Sequence, residues 1–215
     1  MASIETARRA LIVIDVQNDY DGGALPIEHP PFAQTVQNVA RAMDAARAAG
    51  IKVVVIRNLG TPTGSVFRPG THGAELHPEI GKRPHDHYVE KTLPSPFANT
   101  DLEFWLRSNG IETLTIAGYM THNCDLSAVI QAVHMGFGVE FLDDASGSLG
   151  YENSAGRASA EEIHRVMSVV FQSRFAAVVT TGQWIEHIKA GRAPERDTPY
   201  ASNQRALTAR KSAAA

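Results

Sequence analysis

Six short apolar runs alternate with segments of helical periodicity along this chain, and this alternation restricts the fold more than any other feature. The runs are mostly Val, Ile, Leu and Ala without polar alternation, which is typical of strands covered on both faces. The predicted strands are residues 10–15, 52–57, 87–91, 113–118, 139–142 and 176–180. The predicted helices are residues 35–49, 101–109, 123–135, 160–172 and 182–190. The pattern predicts an α/β fold, a three-layer α/β/α sandwich around a mostly parallel six-stranded sheet.

The length of 215 residues fits one domain with a sizeable core, which we place at residues 1–190. Residues 191–215 are polar with an alanine-rich end, and we expect a tail that is disordered or is an arm packed on another subunit. A formal net charge of -3 gives no reason to expect nucleic acid or an anionic membrane as a partner. A single cysteine cannot form an internal disulfide, and no apolar segment fits a signal peptide or a membrane span, so a cytoplasmic location is expected.

Cys124 is the only cysteine, and it lies where the fourth predicted strand gives way to a helix. Gly118 permits a sharp turn there, and apolar residues then recur at helical spacing. A thiol in the first turn of a helix faces unpaired backbone N–H groups and the positive end of the helix dipole, and both favour the thiolate. The position predicts a nucleophile with a depressed thiol pKa. The alternative is a small buried core residue.

Two charged residues end strands of the same predicted sheet. Asp15 closes the first strand and Lys91 closes the third, while Cys124 follows the fourth. In open α/β sheets, ligands bind outside the carboxyl ends of the strands, so these three side chains are expected at one edge. An acid at the end of an apolar strand is costly to bury unless it is paired, and Lys91 is the candidate partner. The alternatives are a turn cap for Asp15 and a solvent-directed side chain for Lys91.

Four motifs carry a resemblance to a known family. They are ALIVIDVQNDY at residues 10–20, VEKTLPSPF at 89–97, GYMTHNC at 118–124, and the acidic pair Asp143 and Asp144 after the fifth strand. On these motifs the chain resembles the isochorismatase-like cysteine hydrolase superfamily, which includes nicotinamidases and N-carbamoylsarcosine amidohydrolase. The similarity spans about residues 8–190 in the order of the family. It implies an isochorismatase-like sheet of Rossmann-like topology.

The resemblance implies a catalytic triad of Asp15, Lys91 and Cys124. It also implies a non-proline cis peptide between Tyr119 and Met120, and an oxyanion hole formed by the backbone N–H groups of Met120 and Cys124. Cys124 would attack a carbonyl carbon and form a thioester, with Asp15 as general base and acid. The implied activity is hydrolysis of a C–N bond in a small amide, lactam or ureide, with no cofactor.

The histidines of the chain do not reproduce the metal site of nicotinamidases, which place an Asp-x-His and a further His after the second strand. Here that strand runs into Arg57, Asn58, Leu59 and Gly60. The nearby histidines are His72, His77, His85 and His87, and we expect them to be solvated loop residues. No metal is therefore expected, and a metal site built from these histidines is the alternative.

Seven further residues are weaker candidates for substrate binding. His122 and Asn123 precede the nucleophile and could line the pocket, the alternative being that they cap the helix. The whole set is Asp19, Tyr20, Arg57, Asn58, His122, Asn123 and Tyr151.

Three other functions stay open at this point. A vinyl-ether hydrolase of the isochorismatase type would not need Cys124, a binding or assembly module would need none of the three residues, and a redox-sensing thiol would lack a second cysteine. The expected partners are a small-molecule substrate and further copies of the chain in a homo-oligomer, as a dimer, a tetramer or a larger ring. Trp105 and Trp184 are the predicted exposed interface anchors, and residues 59–84 are a candidate lid over a neighbouring site.

Overall fold

Six parallel strands form the central sheet of the computed structural model, which describes residues 6–213. The strands are β1 Arg9–Ile14, β2 Lys52–Asn58, β3 His87–Lys91, β4 Thr113–Tyr119, β5 Gly138–Gly147 and β8 Ala177–Val179. The sheet order is β3-β2-β1-β4-β5-β8, and every neighbouring pair is parallel. A separate antiparallel hairpin pairs β6 Tyr151–Asn153 with β7 Gly156–Ala158. The predicted α/β sandwich is confirmed.

Helices cover both faces of this sheet. They are α1 Phe32–Ala48, α2 Pro78–Gly81, α3 Leu102–Ser108, α4 Leu126–His134, α5 Ala160–Val170, α6 Thr181–Lys189 and α7 Pro199–Ala213. Successive side chains of a strand point to opposite faces. Accordingly Leu11 and Val13 of β1 join the core under α1 and α6, whereas Ala10, Ile12 and Ile14 join the core under α3 and α4. This double coverage explains why β1 lacks polar alternation.

The main differences from the predicted elements lie around the carboxyl edge of the sheet. β5 continues five residues beyond the predicted end at 142 and reaches Gly147. The helix predicted from 123 starts as a π-helical turn, Thr121–Asp125, and becomes α-helical only at Leu126. The hairpin β6–β7 and the short helix α2 were not predicted, because elements of three or four residues are too short to show a period.

The C-terminal segment holds a helix over residues 199–213, in the region where we expected a tail that is disordered or an arm. Helix α7 is largely exposed, and its Arg205 forms an ion pair with Asp197. Gln172 binds the residues that precede α7. Its side-chain amide donates to Glu195 O, and its backbone carbonyl accepts from Asp197 N. Residues 214 and 215 lie outside the described part. The role of this segment as an oligomer arm stays a prediction.

The two tryptophans do not form the exposed pair that we expected. Trp184 is fully buried, and its indole N–H donates to Glu140 Oε2 at 3.0 Å, so its role as an exposed anchor is wrong. Trp105 is half-buried and stacks on His87, with the ring planes nearly parallel and the ring centroids 4.8 Å apart. Position on an outer helix did not decide exposure here, because the indole of Trp184 turns inward to a buried acceptor.

Across residues 6–213, none of the helices combines the length and the apolar character that a membrane crossing requires.

Candidate active site

Asp15, Lys91 and Cys124 meet at the carboxyl edge of the sheet. Lys91 Nζ lies 2.6 Å from Asp15 Oδ2 and 3.3 Å from Cys124 Sγ. All three residues are buried, and the side chains of Asp15 and Lys91 are fully shielded from solvent. The ammonium group therefore contacts both the carboxylate and the sulfur, which is the juxtaposition that the strand ends predicted.

The backbone of β1 and β4 positions the acid. Asp15 has a φ of 53°, a left-handed conformation that few non-glycine residues adopt, and its N–H donates to Ile56 O. Gly118 has a φ of 123°, and a Cβ atom there would lie 2.0 Å from Ile14 O. Only glycine lets β4 approach the last residue of β1 this closely. The close approach sets the separation between Asp15 and the turn that carries Cys124.

Gln17 and Asn58 support the lysine. Asn58 Oδ1 accepts from Lys91 Nζ at 3.3 Å, which brings this predicted candidate into the site. The Gln17 amide donates to Asn58 O and Ala74 O, and its oxygen accepts from Asn58 N. Gln17 was missed as a site residue although it lies within the first motif. Its only sequence signal is an amide placed two residues after Asp15.

The ionisation equilibria of the three groups are coupled. Burial raises the pKa of the Cys124 thiol, the charge of Asp15 raises it further, and Lys91 offsets only part of this. Burial likewise raises the pKa of Asp15, against the effects of Lys91 and Cys124. For Lys91 burial lowers the pKa, but Asp15 and Cys124 outweigh it and the pKa is raised. The depressed thiol pKa that we expected is wrong, because the turn encloses the sulfur beside a carboxylate.

The resting site consequently holds a thiol next to an ion pair. Neither oxygen of Asp15 makes a hydrogen bond of good geometry within the described residues, so the carboxylate keeps acceptor capacity. The Cys124 thiol is close enough to hydrogen-bond it. This arrangement can move the thiol proton to Asp15 when an electrophile arrives.

The turn that carries the nucleophile is fixed at both ends. The peptide bond between Tyr119 and Met120 is cis. Met120 O accepts from the backbone N–H groups of Asn123 and Asp125. Thr121 Oγ1 donates to Gly147 O at 3.1 Å and lies 2.8 Å from His164 Nδ1.

His164 on α5 is a second residue that the sequence did not reveal. It is buried, and burial first, then His29 and His122, lower its pKa to about 4. It is therefore neutral at neutral pH, and its Nδ1 atom shares a hydrogen bond with the Thr121 hydroxyl. The contact between His164 on α5 and Thr121 in the nucleophile turn joins residues far apart in the sequence, and no local sequence pattern predicts it.

His122 and Tyr151, two of the predicted candidates, bind one another. Nε2 of His122 lies 2.9 Å from the Tyr151 hydroxyl, and its Nδ1 lies 3.1 Å from Ser148 Oγ. Burial lowers the pKa of His122, so its ring is neutral at neutral pH. A cavity of about 380 Å³ opens here, lined by His122, Tyr151, Asn153, Ala155, Gly156, Arg157, Ala158 and Ile163.

Asp19 and Arg57, by contrast, hold the long segment 59–84. Asp19 Oδ2 accepts from Phe67 N at 2.5 Å, and a Cβ atom at Gly73 would collide with the same carboxylate. Arg57 Nε donates to Ala74 O, and its guanidinium lies 3.3 Å from Glu90. The segment contains a 3-10 turn and α2, and it is tied to the sheet. Both side chains thus bind other parts of the chain, chiefly the segment 59–84.

Tyr20 and Asn123 complete the predicted set. The buried Tyr20 ring packs against Phe67 and Tyr119 at 5.0 and 5.2 Å. Burial raises the pKa of Tyr20 well above its usual range, with smaller contributions from Cys124 and Asp15, which places its ring near the thiol. Asn123 is half-buried in the nucleophile turn.

The four histidines that we expected to be solvated loop residues lie in separate surroundings. His72 and His85 are exposed, whereas His77 and His87 are half-buried and His87 belongs to β3, so the expectation is wrong for these two. His72 faces Glu75, His77 accepts from Glu79 N at the start of α2, His85 lies beside Tyr88, and His87 binds Asp101. Among residues 6–213 there is no group of three or more His, Cys, Asp or Glu side chains that could hold a metal ion.

The fold and this cluster define a parallel α/β protein with a buried Asp–Lys–Cys group at the carboxyl edge of its sheet. Residues 9–183 match the family model of the isochorismatase domain, and the chain belongs to the isochorismatase family. The resemblance read from the four motifs is thereby confirmed.

Three relatives illustrate the range of similarity. The crystal structure of a Burkholderia xenovorans LB400 protein, provisionally described as an isochorismatase, is 58% identical with a TM-score of 0.94, covering 96% of this chain and 100% of that one. Streptothricin hydrolase of Streptomyces noursei is 34% identical over 137 residues, which are 64% of this chain and 49% of its own. Ureidoacrylate amidohydrolase of Rhizobium rhizogenes is 28% identical over 181 residues, 69% of this chain and 74% of its own.

Proposed function

We propose that this protein is a cofactor-free cysteine hydrolase that cleaves a C–N bond of a small amide, lactam or ureide. The observation that carries the proposal is the position of Lys91 Nζ, 2.6 Å from Asp15 Oδ2 and 3.3 Å from Cys124 Sγ. Asp15 retains acceptor capacity beside the thiol, so a nucleophile, its base and a fixed positive charge lie in one buried cluster.

In the first half-reaction the thiol proton moves from Cys124 Sγ to Asp15 while the sulfur attacks the carbonyl carbon. The carbonyl oxygen takes the negative charge, and the backbone N–H groups of Met120 and Cys124 are its proposed donors. Loss of one such donor typically costs about 3 kcal/mol of transition-state stabilisation. Asp15 then gives its proton to the leaving nitrogen, the C–N bond breaks, and a thioester remains on Cys124.

In the second half-reaction water replaces the amine. Asp15, ionised again, takes a proton from the water as its oxygen attacks the thioester carbon. The C–S bond breaks, the acid product leaves, and the proton returns to sulfur. Lys91 stays beside both groups, so its charge stabilises whichever of them is negative.

Two observations support the substrate class. Relatives of the chain bear the names ureidoacrylate amidohydrolase and streptothricin hydrolase, which fits an amide or ureide substrate here. The cavity beside His122 and Tyr151 could take the part of the substrate that does not react. The hydrogen bond between these two side chains would present a neutral polar wall to it.

Two alternatives give different outcomes. A vinyl-ether hydrolase would keep full turnover after Cys124→Ala, and a binding or assembly module would bind without turnover. The contact of Lys91 with both Asp15 and Cys124 argues against the second, because a buried thiol beside an ion pair adds nothing to binding alone.

The test is a panel of small amides, lactams and ureides assayed for release of ammonia or amine. Turnover of at least one compound is expected, and Cys124→Ala should abolish it. Intact mass spectrometry of acid-quenched samples should show the acyl group on the wild-type protein and none on the variant. Turnover that survives Cys124→Ala, or a panel that yields no product, would refute the proposal.

We also propose that the protein works as a homo-oligomer. Helix α5 presents exposed Val166 and Val169, and α3 presents Phe104 with 75% of its surface exposed. Light scattering at micromolar concentration should give a multiple of 23.2 kDa. Val169→Glu should lower that mass if α5 lies in the contact, and Glu161→Ala on the same helix is the control. A fully active protein of 23.2 kDa would contradict the proposal.

A further inference from the structure

Asp125, the residue after the nucleophile, has an unusual environment. Its side chain is completely buried, and neither carboxyl oxygen makes a hydrogen bond of good geometry within the described residues. Ser146 on β5 faces it, and the hydroxyl of Ser146 is also buried and without such a bond. An ionised carboxylate in this position would have the Ser146 hydroxyl as its one side-chain donor within the described residues, which is too few for a fully buried charge.

The charges around Asp125 balance only if it is neutral. The titratable groups that face it are Asp15 and Lys91 at the ends of β1 and β3, Tyr20, and Tyr119 on β4. Lys91 is the one cation of this group in the described structure, and it pairs with Asp15 at 2.6 Å. An ionised Asp125 would add a second buried negative charge with no counter-ion, which is strongly unfavourable.

The direction of the pKa shift of Asp125 agrees with this balance of charges. Burial raises the pKa of Asp125 well above its usual range, and the charge of Asp15 raises it further, whereas Ser146 and Lys91 lower it less. The carboxyl and the hydroxyl thus satisfy one another when the acid keeps its hydrogen and donates it to Ser146 Oγ.

We propose that Asp125 is a positioning residue that stays protonated while Cys124 reacts, donating to Ser146 so that Lys91 faces a single negative charge throughout. The inference rests on the proposed function. When the S–H bond breaks and the proton binds Asp15, the negative charge passes from the carboxylate to the sulfur, and Lys91 contacts both. The net charge of the site stays at zero during this step. An ionised Asp125 would oppose the thiolate by like-charge repulsion.

Infrared spectroscopy of the whole protein tests the protonation state without any substrate. At neutral pH the wild type should show the C=O stretch of a protonated carboxylic acid. This band should be absent from Asp125→Asn and present in Asp143→Asn, which changes a half-buried acid of β5 and leaves the pairing of Lys91 with Asp15 intact. A wild type without the band would overturn the proposal, as would a band that Asp143→Asn removes and Asp125→Asn keeps.

Ser146→Ala gives a second measurement that does not depend on the folding of Asp125→Asn. Because the acid loses its acceptor, its C=O stretch should move to higher wavenumber. Asp143→Asn, which changes a half-buried acid of β5, should leave the band where it is. A band that does not respond to Ser146→Ala would overturn the assignment to Asp125.

The pH dependence of turnover connects the proton to the reaction. Above the pKa of Asp125 the wild type should lose activity, because the new charge disfavours the thiolate, and asparagine cannot ionise. On the alkaline side, the kcat of the wild type should therefore begin to fall at a lower pH than the kcat of Asp125→Asn. An alkaline fall at the same pH in both proteins would overturn the inference. If no compound is turned over, the proposed function fails, and the infrared result still decides this point.

Discussion

Two buried ion pairs stand at opposite ends of β1, and they are built differently. Arg9, at the amino end, pairs with Glu140, whose Oε2 also accepts from Thr115 Oγ1 at 2.8 Å and from Trp184 Nε1 at 3.0 Å. Asp15, just past the carboxyl end, pairs with Lys91, and its oxygens make no further hydrogen bond of good geometry within the described residues. Both pairs are buried, so burial alone does not separate them.

The difference lies in the acceptor capacity of the two carboxylates. Glu140 is surrounded by donors, so adding a proton to it would break interactions that already exist. Asp15 lies beside a thiol and keeps room for one proton. A buried ion pair that supports the fold and one that supports chemistry can thus be distinguished by counting the donors around the acid.

The Asp15→Asn variant should show the largest difference between the two ion pairs. Loss of the general base should lower kcat by a factor of about 10²–10⁴. Glu140→Gln, the matched change in the other pair, should leave kcat per folded molecule unchanged. Turnover per mole of folded protein, with the folded fraction taken from circular dichroism, checks both. An active Asp15→Asn variant would show that the acid is not the base.

The stability of the Glu140→Gln variant tests the structural role of the pair between Arg9 and Glu140. It leaves Arg9 as a buried charge without a counter-ion and should lower the free energy of unfolding by about 3–5 kcal/mol. The double variant with Arg9→Met removes the orphaned charge, and its glutamine can still accept from Thr115 and Trp184. Urea titration should find most of the loss recovered. A double variant as unstable as the single one would mean that the pair does more than balance charge.

A further test uses His164, a buried side chain that is neutral in the folded state. Its pKa is lowered to about 4, below the usual value of 6.5, so the unfolded chain binds more protons between these values. Its contribution to stability is present above about pH 6.5 and is lost as the pH falls through about 4, by up to about 3 kcal/mol. Urea titrations at several pH values should show a shallower acid loss for His164→Gln, which can keep the bond to Thr121. Equal slopes would contradict the buried neutral state.

The smallest expected effect concerns the alkylation rate of the Cys124 thiol. Because its pKa is raised, Cys124 should react with iodoacetamide near neutral pH at least about tenfold more slowly than free cysteine. Urea-unfolded protein provides the control for the same thiol in water. Fast labelling of the folded protein would contradict the raised pKa and would support the thiolate that we expected from the position of Cys124 at a helix start.

The fold was predictable because its signals are local and repeated. The apolar runs of β1, β2 and β4 are continuous, and the predicted ends lie within a residue or two of the observed ones. The edge that carries Asp15, Lys91 and Cys124 followed from the parallel order of these strands. Their meeting could be expected without knowledge of any single contact.

What remained hidden depends on contacts between distant residues. Arg9 and Glu140 are 131 positions apart, and nothing in the sequence pairs them. The sequence placed Cys124 at a helix start but not the carboxylate, the enclosing turn and the burial that raise its pKa. In the sequence Asp125 resembles any acid in the first turn of a helix. It is distinguished only by its complete burial and by carboxyl oxygens that make no hydrogen bond of good geometry within the described residues.

The anchoring of segment 59–84 has a consequence for protein engineering. Asp19 holds Phe67 N and contacts Gly73, Gln17 holds Ala74 O, and Asn18 Nδ2 donates to His72 O at 2.9 Å. Residues 17–19 and 66–76 therefore form one transferable unit, although some fifty positions separate them. A chimera that exchanged this loop alone for that of a relative would meet three mismatched side chains at its base. Loop grafting in this family should move both stretches together.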